Sequence, residues 1–286
     1  MSMYRASFKE GDTRKVLWQE MLRHEFAEAL SQDPVVIVPT GSVEQHGPHC
    51  PVDVDIAGPF EIAVAVARAV TEFPVIVAPP LSLGFAHYNL GHEGTITLRL
   101  ETYQAVLADV LRSLAENGFL RIVVINGHGG NRGPNRSVIA QVAEDDIFPI
   151  GFSYWEAAME EMAAWAEADG GWIGHGGEWE TSLMMHLRPQ LIDRERMGAD
   201  TFPNPYSEDL RAFAEYAERR RDTGGRSGIM GNALVATPEK GERLFNLLVE
   251  KTSRLVREMH AAPVRGYLEL YSEDERKRLR QRARLS

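Results

Sequence analysis

Three side chains able to hold a metal ion fall within one short stretch, GSVEQHGPHCPVDVDIAG: Glu44, His46 and Asp55. A carboxylate, an imidazole and a second carboxylate form a mixed oxygen and nitrogen set suited to Zn²⁺ or Mn²⁺. Glu44 and His46 lie two apart, so an extended backbone projects both from one side. Gly47, Pro48 and Pro51 then let the loop fold back before Asp55 arrives. Residues of these types also make ordinary polar loops, so this stretch alone leaves both readings open.

Two further clusters carry chemistry. Gly127-His128-Gly129-Gly130-Asn131 follows the apolar run RIVVIN. Glycines let backbone pass close to a ligand, and a strand's C-terminal end would set His128 at the open edge of a sheet. Read as a phosphate loop it lacks the full glycine fingerprint and any following Lys-Ser/Thr. Read alone, His128 could equally be a hydrogen-bonded loop histidine. The third cluster is Gly174-His175-Gly176-Gly177-Glu178-Trp179-Glu180-Thr181-Ser182, ahead of the apolar residues Leu183, Met184, Met185 and Leu187. Glu178 and Glu180 would sit in a helix's first turn, where the dipole favours acids whatever else they do. On a helix they point about 200° apart, so they should not share one role. His175, placed before two glycines, could approach a substrate and shuttle protons. Taken jointly, the clusters fit a two-metal hydrolase. Asp55 would bridge the ions, with Glu44 and His128 on one side and His46 and a glutamate on the other, activating a shared water.

The elements that must position these residues alternate. Apolar runs predict strands at Val35–Pro39, Val75–Ala78, Arg121–Asn126 and Pro149–Tyr154. Amphipathic stretches predict helices at Trp18–Leu30, Pro59–Val70, Tyr103–Asn117 and Asn135–Ala143, with others from about Glu156 and near Glu178. A last long helix is expected over Glu239–His260, with Pro238 at its start. Strands that are nearly continuously apolar, in β-then-α order, argue for a mainly parallel sheet covered on both faces. One domain is expected, with its core at about 17–260. Residues 195–232, rich in Gly, Pro, Asp and Arg, read as a long ordered loop covering the site or meeting another subunit.

Composition narrows the class. The 286 residues are 44% hydrophobic and 25% charged, ordinary for a water-soluble fold. A formal charge of −10, with no strong basic stretch before the C-terminal tail, argues against a nucleic-acid partner. The tail, at 270–286, is expected to be a solvated or subunit-contacting helix over Glu273 to Arg284. One cysteine, Cys50, excludes an intrachain disulfide and fits a reducing cytoplasm. It lies in the ligand-rich loop, as a thiolate ligand or a buried thiol. The N-terminus has no apolar leader core and no run reaches spanning length, so neither export nor a membrane partner is expected.

With these motifs in view, the chain resembles the creatininase (creatinine amidohydrolase) family. The resemblance runs from about Leu17 to Met259, on the segments PTGSVEQHGPHCPVDVD, INGHGGN, FSYWE, GHGGEWETSLMM and GIMGNALVATPEKG. It implies a three-layer α/β/α sandwich, assembly as a homo-oligomer (a hexamer), and C–N bond hydrolysis at a dinuclear site of Zn²⁺, Mn²⁺ or Fe²⁺, zinc first. The ligands carried over are Glu44, His46, bridging Asp55 and His128. Creatininase proper places another glutamate two residues after that histidine, where this chain has Gly130, and has an apolar residue at the position of Glu178. The exchange implies that Glu178 supplies the fifth ligand and a catalytic carboxylate, with Glu180 structural. His175 matches the family's catalytic histidine, and Trp155 and Trp172 match substrate-flanking tryptophans, though tryptophan also fills cores. Tyr88 and His92 fall in a loop that lines the site in the family. Where relatives often carry Phe-Pro, this chain has His92-Glu93, a more polar pocket that argues against creatinine itself.

The expected reaction is hydrolysis of a small-molecule amide, lactam or formamide by metal-activated water. Creatinine hydrolysis and removal of a short peptide tail stand as alternatives. A non-catalytic metal- or ligand-binding protein, or a nucleotide binder using Gly127 to Gly130, are the rivals from other classes.

Overall fold

The computed structural model describes residues 13–200, 227–264, 272–275 and 278. Four parallel strands form the central sheet: β1 (Val35–Thr40), β2 (Val75–Val77), β3 (Arg121–Asn126) and β4 (Ile150–Ser153), in the order β2-β1-β3-β4. Every residue of β1 and β3 is buried, as expected of parallel strands covered on both faces. The pleat divides them. Val35, Ile37, Val75, Val77, Val123 and Ile125 join one core, and Val36, Val38, Ile76, Ile122 and Val124 join the other.

Parallel neighbours need crossover connections, and helices supply them. On one face lie α2 (Val54–Ala69), α5 (Met159–Trp165), α6 (Glu178–Leu187) and α7 (Pro238–Ala261), contributing Phe60, Met162, Leu183 and Leu248 among others. On the other lie α1 (Arg23–Leu30), α3 (Leu100–Glu116) and α4 (Arg132–Val142), through Ala29, Leu107, Leu111 and Val138. Each fully buried leucine or valine in these layers contributes about 1.5–3 kcal/mol. The three-layer α/β/α sandwich therefore follows from the alternation along the strands.

The helix starts differ from the sequence expectation in a way that matters. α2 was expected from Pro59, but it begins at Val54, so Asp55 lies in its first turn and not in the preceding loop. Pro59 has no N–H to offer the Asp55 carbonyl, and that carbonyl instead faces two glycines. A Cβ at Gly41 would lie 2.4 Å from Asp55 O, and one at Gly127 only 2.1 Å. The first expected helix splits into a 3₁₀ turn, Trp18–Glu20, and α1, because Leu22 is extended between them. α7 begins as expected at Pro238, with the Thr237 hydroxyl accepting from Lys240 N–H. Its Gly241 crosses α6 so closely that a Cβ would sit 1.9 Å from Ser182 O. Within 195–232, β5 (Ala199–Asp200) and β6 (Gly231–Asn232) pair antiparallel, while 201–226 lies outside the described residues, as does most of the basic tail. Among the described residues no helix is long and apolar enough to cross a membrane.

Candidate metal centre

In-register pairing sets Thr40 at the end of β1 opposite Asn126 at the end of β3, so the loops after the two strands start side by side. Gly127 N–H donates to Thr40 O at 2.8 Å. The Asn126 side chain then shapes the turn carrying His128. Its Oδ1 accepts from His128 N–H at 3.1 Å, and its Nδ2 donates to His128 O and to Ser153 Oγ. Asn131 closes the turn against its neighbours, donating to Gly41 O at 3.0 Å and accepting from Phe85 N–H at 2.9 Å. The glycines at 41 and 127 leave the first turn of α2 room to press Asp55 between the two strand ends.

Glu44, His46, Asp55, His128 and Glu180 converge there, all buried. His128 Nδ1 lies 3.2 Å from Glu44 Oε2 and 3.0 Å from Asp55 Oδ2. His46 Nε2 lies 3.1 Å from Asp55 Oδ1 and 3.5 Å from Glu180 Oε2. Two triads result, Glu44–Asp55–His128 and His46–Asp55–Glu180, each with its ligand atoms within 4.8 Å of one another. Asp55 belongs to both, turning one oxygen toward each.

The outer ring nitrogens face carbonyl oxygens: His46 Nδ1 that of Glu44 at 3.0 Å, and His128 Nε2 that of Phe85 at 3.1 Å. A carbonyl only accepts, so the inner nitrogens are left with lone pairs. Glu44 Oε2, His46 Nε2 and Asp55 Oδ2 are buried without a hydrogen-bond partner among the described residues. Lone pairs facing lone pairs at these distances make a donor set that fits divalent cations.

Protons would otherwise do the balancing. Burial pushes the Glu44 carboxyl up to about 8, and Asp55 and Glu180 add to this against the pull of His128 and His46. Glu180 is raised for the same first reason, burial. Burial acts to lower His128, but Glu44 and Asp55 prevail and carry it up to about 9. For Asp55, burial works upward and is outweighed by His46 and His128, which hold it well below the ordinary carboxylate range.

The creatininase (creatinine amidohydrolase) family profile matches residues 19–256 of this chain. The chain belongs to the creatininase family. A mycofactocin precursor peptide peptidase from Mycolicibacterium smegmatis is 31% identical over 239 residues, covering 77% of this chain and 83% of that protein. A creatinine amidohydrolase from Pseudomonas putida is 29% identical over 253 residues, covering 81% and 92%. Among solved structures, a manganese form of creatininase superposes with a TM-score of 0.73 at 25% identity, over 87% of this chain and 100% of that one. A zinc–zinc form of a creatininase point variant gives the same figures.

Against this family background, the expectation for Glu178 is corrected by the structure. Its carboxylate turns away from the cluster. Oε1 accepts from Glu167 N–H at 2.9 Å and Lys240 Nζ at 2.7 Å, and Oε2 accepts from Ala168 and Asp169 N–H at 3.0 Å each. It is neither at the metal triads nor placed for a catalytic role. Glu180, two positions on and so on the opposite side of α6, reaches the cluster while also accepting from Gly176 N–H at 2.6 Å. The Gly130 position is filled by neighbours: a Cβ there would meet Phe85 O at 2.3 Å and Tyr88 Oη at 2.6 Å.

The remaining predicted residues divide. His175 is buried, its ring 4.1 Å from that of His46 and its Nδ1 3.4 Å from Glu44 Oε1. Tyr88 Oη lies 3.3 Å from His128 Nε2, behind that ring. Trp155 is buried in the core against Tyr154. Trp172 is 51% exposed and packs beside Gly174, next to His175. His92 is half-buried, with Nε2 lacking a hydrogen-bond partner among the described residues. Cys50 is not in the cluster. Its thiol, pushed up to about 11 by burial, faces Thr181 Oγ1 at 3.7 Å. Sequence reasoning did not single out Asn89, whose amide donates to Glu44 Oε1, or Gln45, which contacts His175. Gln45 sits within the first motif and Asn89 in the loop that holds Tyr88 and His92, but nothing in their spacing marks which way they point.

Proposed function

We propose that this creatininase-family hydrolase is a two-metal amidohydrolase cleaving a C–N bond of a small-molecule amide, lactam or formamide. The observation that carries the reading is Asp55, whose two oxygens face two different buried triads. Glu44 and His128 would hold one divalent ion and His46 and Glu180 the other, with Asp55 between them. Zinc is favoured ahead of manganese or iron by the mixed donor set. Divalent cations bound there would supply Lewis acidity, lowering the pKa of water and polarising the scissile carbonyl.

The chain's own residues supply the rest. Asn89 donates to Glu44 Oε1 and Gly176 N–H to Glu180 Oε2, so both carboxylates are held in one orientation. His175 lies on the same side as the Glu44 carboxylate and would pass a proton to the departing nitrogen. Trp172, exposed beside the His175 loop, would flank the substrate.

Removal of a short peptide tail is a second reading, favoured by the 31% identity to a precursor peptide peptidase. Metal content by elemental analysis, run beside hydrolysis of a panel of lactams, formamides and short peptides, tests both. About two ions per chain, lost in Asp55→Ala together with turnover, is the expected result. No metal after reconstitution with Zn²⁺, Mn²⁺ and Fe²⁺ would remove the dinuclear reading. Homo-oligomeric assembly, the remaining part of this proposal, is read by light scattering.

A further inference from the structure

The three buried histidines of the centre differ in what stands behind them. Behind His46 is the carbonyl of Glu44, and behind His128 that of Phe85. Each outer nitrogen therefore carries the hydrogen, and each inner nitrogen presents a lone pair. Behind His175 stands a side-chain amide. Gln45 Oε1 accepts from Gly47 N–H at 2.8 Å. A backbone N–H can only donate, so this contact decides which end of the amide is oxygen. The NH₂ end then lies 2.9 Å from His175 Nε2, and it too can only donate. His175 Nε2 must accept, so in the neutral ring the hydrogen sits on Nδ1, the atom 3.4 Å from Glu44 Oε1.

Little in this arrangement can turn. A Cβ on Gly228 would lie 2.1 Å from Gln45 Oε1, so the amide is clasped between the 228 and 47 backbones. Gln45 Nε2 also reaches Asn89 Oδ1 at 3.4 Å. The His175 backbone exchanges two hydrogen bonds with Met230, at 2.8 and 2.7 Å, which holds the ring at its angle over His46.

We propose that Gln45 is a positioning residue that sets the tautomer of His175, converting a third potential ligand into the hydrogen donor of the centre. By distance alone, Glu44, His46 and His175 could together hold a cation. With hydrogen on Nδ1, His175 has no lone pair to give there. The catalytic half of this inference rests on the amidohydrolase reading above. In that reaction the C–N bond breaks and an N–H bond forms on the departing amine with the Nδ1 proton, while re-formation of the Nδ1–H bond restores the neutral ring, so that it is not left as an imidazolate. The proton is replaced from the water that hydrolysis consumes.

The test uses full-length, Zn²⁺-loaded protein labelled with ¹⁵N-histidine, as wild type, Gln45→Met and Gln45→Glu. His175 signals are those absent from His175→Gln. In wild type, Nε2 should be the bare ring nitrogen and Nδ1 the protonated one. In Gln45→Glu, a carboxylate that only accepts should draw the hydrogen to Nε2 and invert the pattern. Gln45→Met, which keeps the volume without a donor, should give a mixture. Both variants should retain zinc and fold while kcat falls about 10–100-fold with KM little changed, the scale seen for outer-shell partners of metal-site histidines. A wild-type spectrum with hydrogen on Nε2 would overturn the proposal, as would Gln45→Glu with unchanged tautomer or unchanged kcat. If wild type hydrolyses nothing in the panel, the amidohydrolase reading fails, while the spectra still decide the tautomer.

Discussion

Glu178 and Glu180 stand two residues apart, and alanine at each should break a different property. Glu178→Ala removes the acceptor from three backbone N–H groups and from Lys240. Removing one partner of a buried pair costs about 3–5 kcal/mol. Lys240 keeps Glu167 at 2.6 Å and Val235 O at 2.8 Å, which places the loss near the lower end. At about 2–4 °C per kcal/mol, roughly 3 kcal/mol lowers Tm by about 6–12 °C. Zinc content should be retained.

Glu180→Ala removes one of the cluster's three buried carboxylates and an acceptor for Gly176 N–H. Relief of charge repulsion offsets that lost bond, so the chelated protein should change by no more than about 1 kcal/mol. What disappears is the stabilisation by Zn²⁺, about 4 kcal/mol when free metal is a thousandfold above Kd. Thermal melts with EDTA or Zn²⁺, read beside elemental analysis, separate the two. A Glu178→Ala variant that melts normally yet loses zinc would refute the assignment, as would Glu180→Ala with wild-type zinc. Acid provides a second check. Burial acts to raise the Glu178 pKa, but the Asp169 N–H, Lys240 and the other donors outweigh it and hold it below the ordinary 4.5. A depressed carboxylate stabilises the fold above that value and loses its contribution as pH falls through the folded pKa. Glu178→Gln should remove this part of the acid sensitivity.

Gly127→Ala should cost about 1–3 kcal/mol and weaken zinc binding, because the new Cβ meets Asp55 O and the Pro59 ring and must displace the first turn of α2. Calorimetry and metal titration read both effects, and an unaffected Tm would contradict the packing. In metal-free protein, Glu44 at about 8 and His128 at about 9 bind more protons folded than unfolded. Their contribution is present at lower pH and lost as pH rises, whereas His175 and His49, both lowered by burial, act below 6.5. The Tm of EDTA-treated protein should therefore fall between pH 6.5 and 9, and saturating Zn²⁺ should remove that decline; a rising Tm would count against it. Finally, Gly130→Glu should not rescue zinc binding in a Glu180→Gln background, since its Cβ would enter the space of Phe85 O and Tyr88 Oη. Recovery of metal in the double variant would show that the loop gives way.

Strands and layers were legible because β1 and β3 are continuously apolar over 35–39 and 122–125, the pattern of strands in a sheet covered on both faces. The start of α2 was not legible. Gly58-Pro59 reads as a helix opening, and only the neighbouring strand ends, with glycines at 41 and 127, show that the turn before Pro59 is also helical. The choice between Glu178 and Glu180 failed for a related reason. Spacing shows that the two point apart, but which faces the buried cluster depends on Lys240 and the backbone of 167–169, which the sequence keeps at a distance. Glu44, His46 and His128 stood out because each lies in a loop that follows a strand, and Asp55 because it closes the same ligand-rich stretch, although its place in the first turn of α2 was not foreseen. Gln45 and Asn89 escaped because an amide announces nothing by its spacing, and its meaning lies in which end faces which partner.

The centre also shows how a fold can hold like charges together. Glu44, Asp55 and Glu180 carry three carboxylates into one buried space, where like charges repel strongly. Their positions do not depend on one another. Glu44 follows β1, Asp55 is fixed by α2 between two glycines, and Glu180 is carried by α6, which Gly241 of α7 locks from behind. Each element is held by its own core contacts, so the convergence is imposed from outside and is not a product of local attraction. The groups around the rim are neutral: the Asn89 amide and Gly176 N–H donate, the carbonyls behind His46 and His128 accept, and they orient the cluster without neutralising it. Compensation is thus left to protons or to cations. A site of this construction couples metal occupancy to the stability of both strand ends and of α2 and α6. Loss of metal should therefore be felt as earlier local opening of those four elements, while α1 and α3, on the opposite face of the sheet, keep their protection.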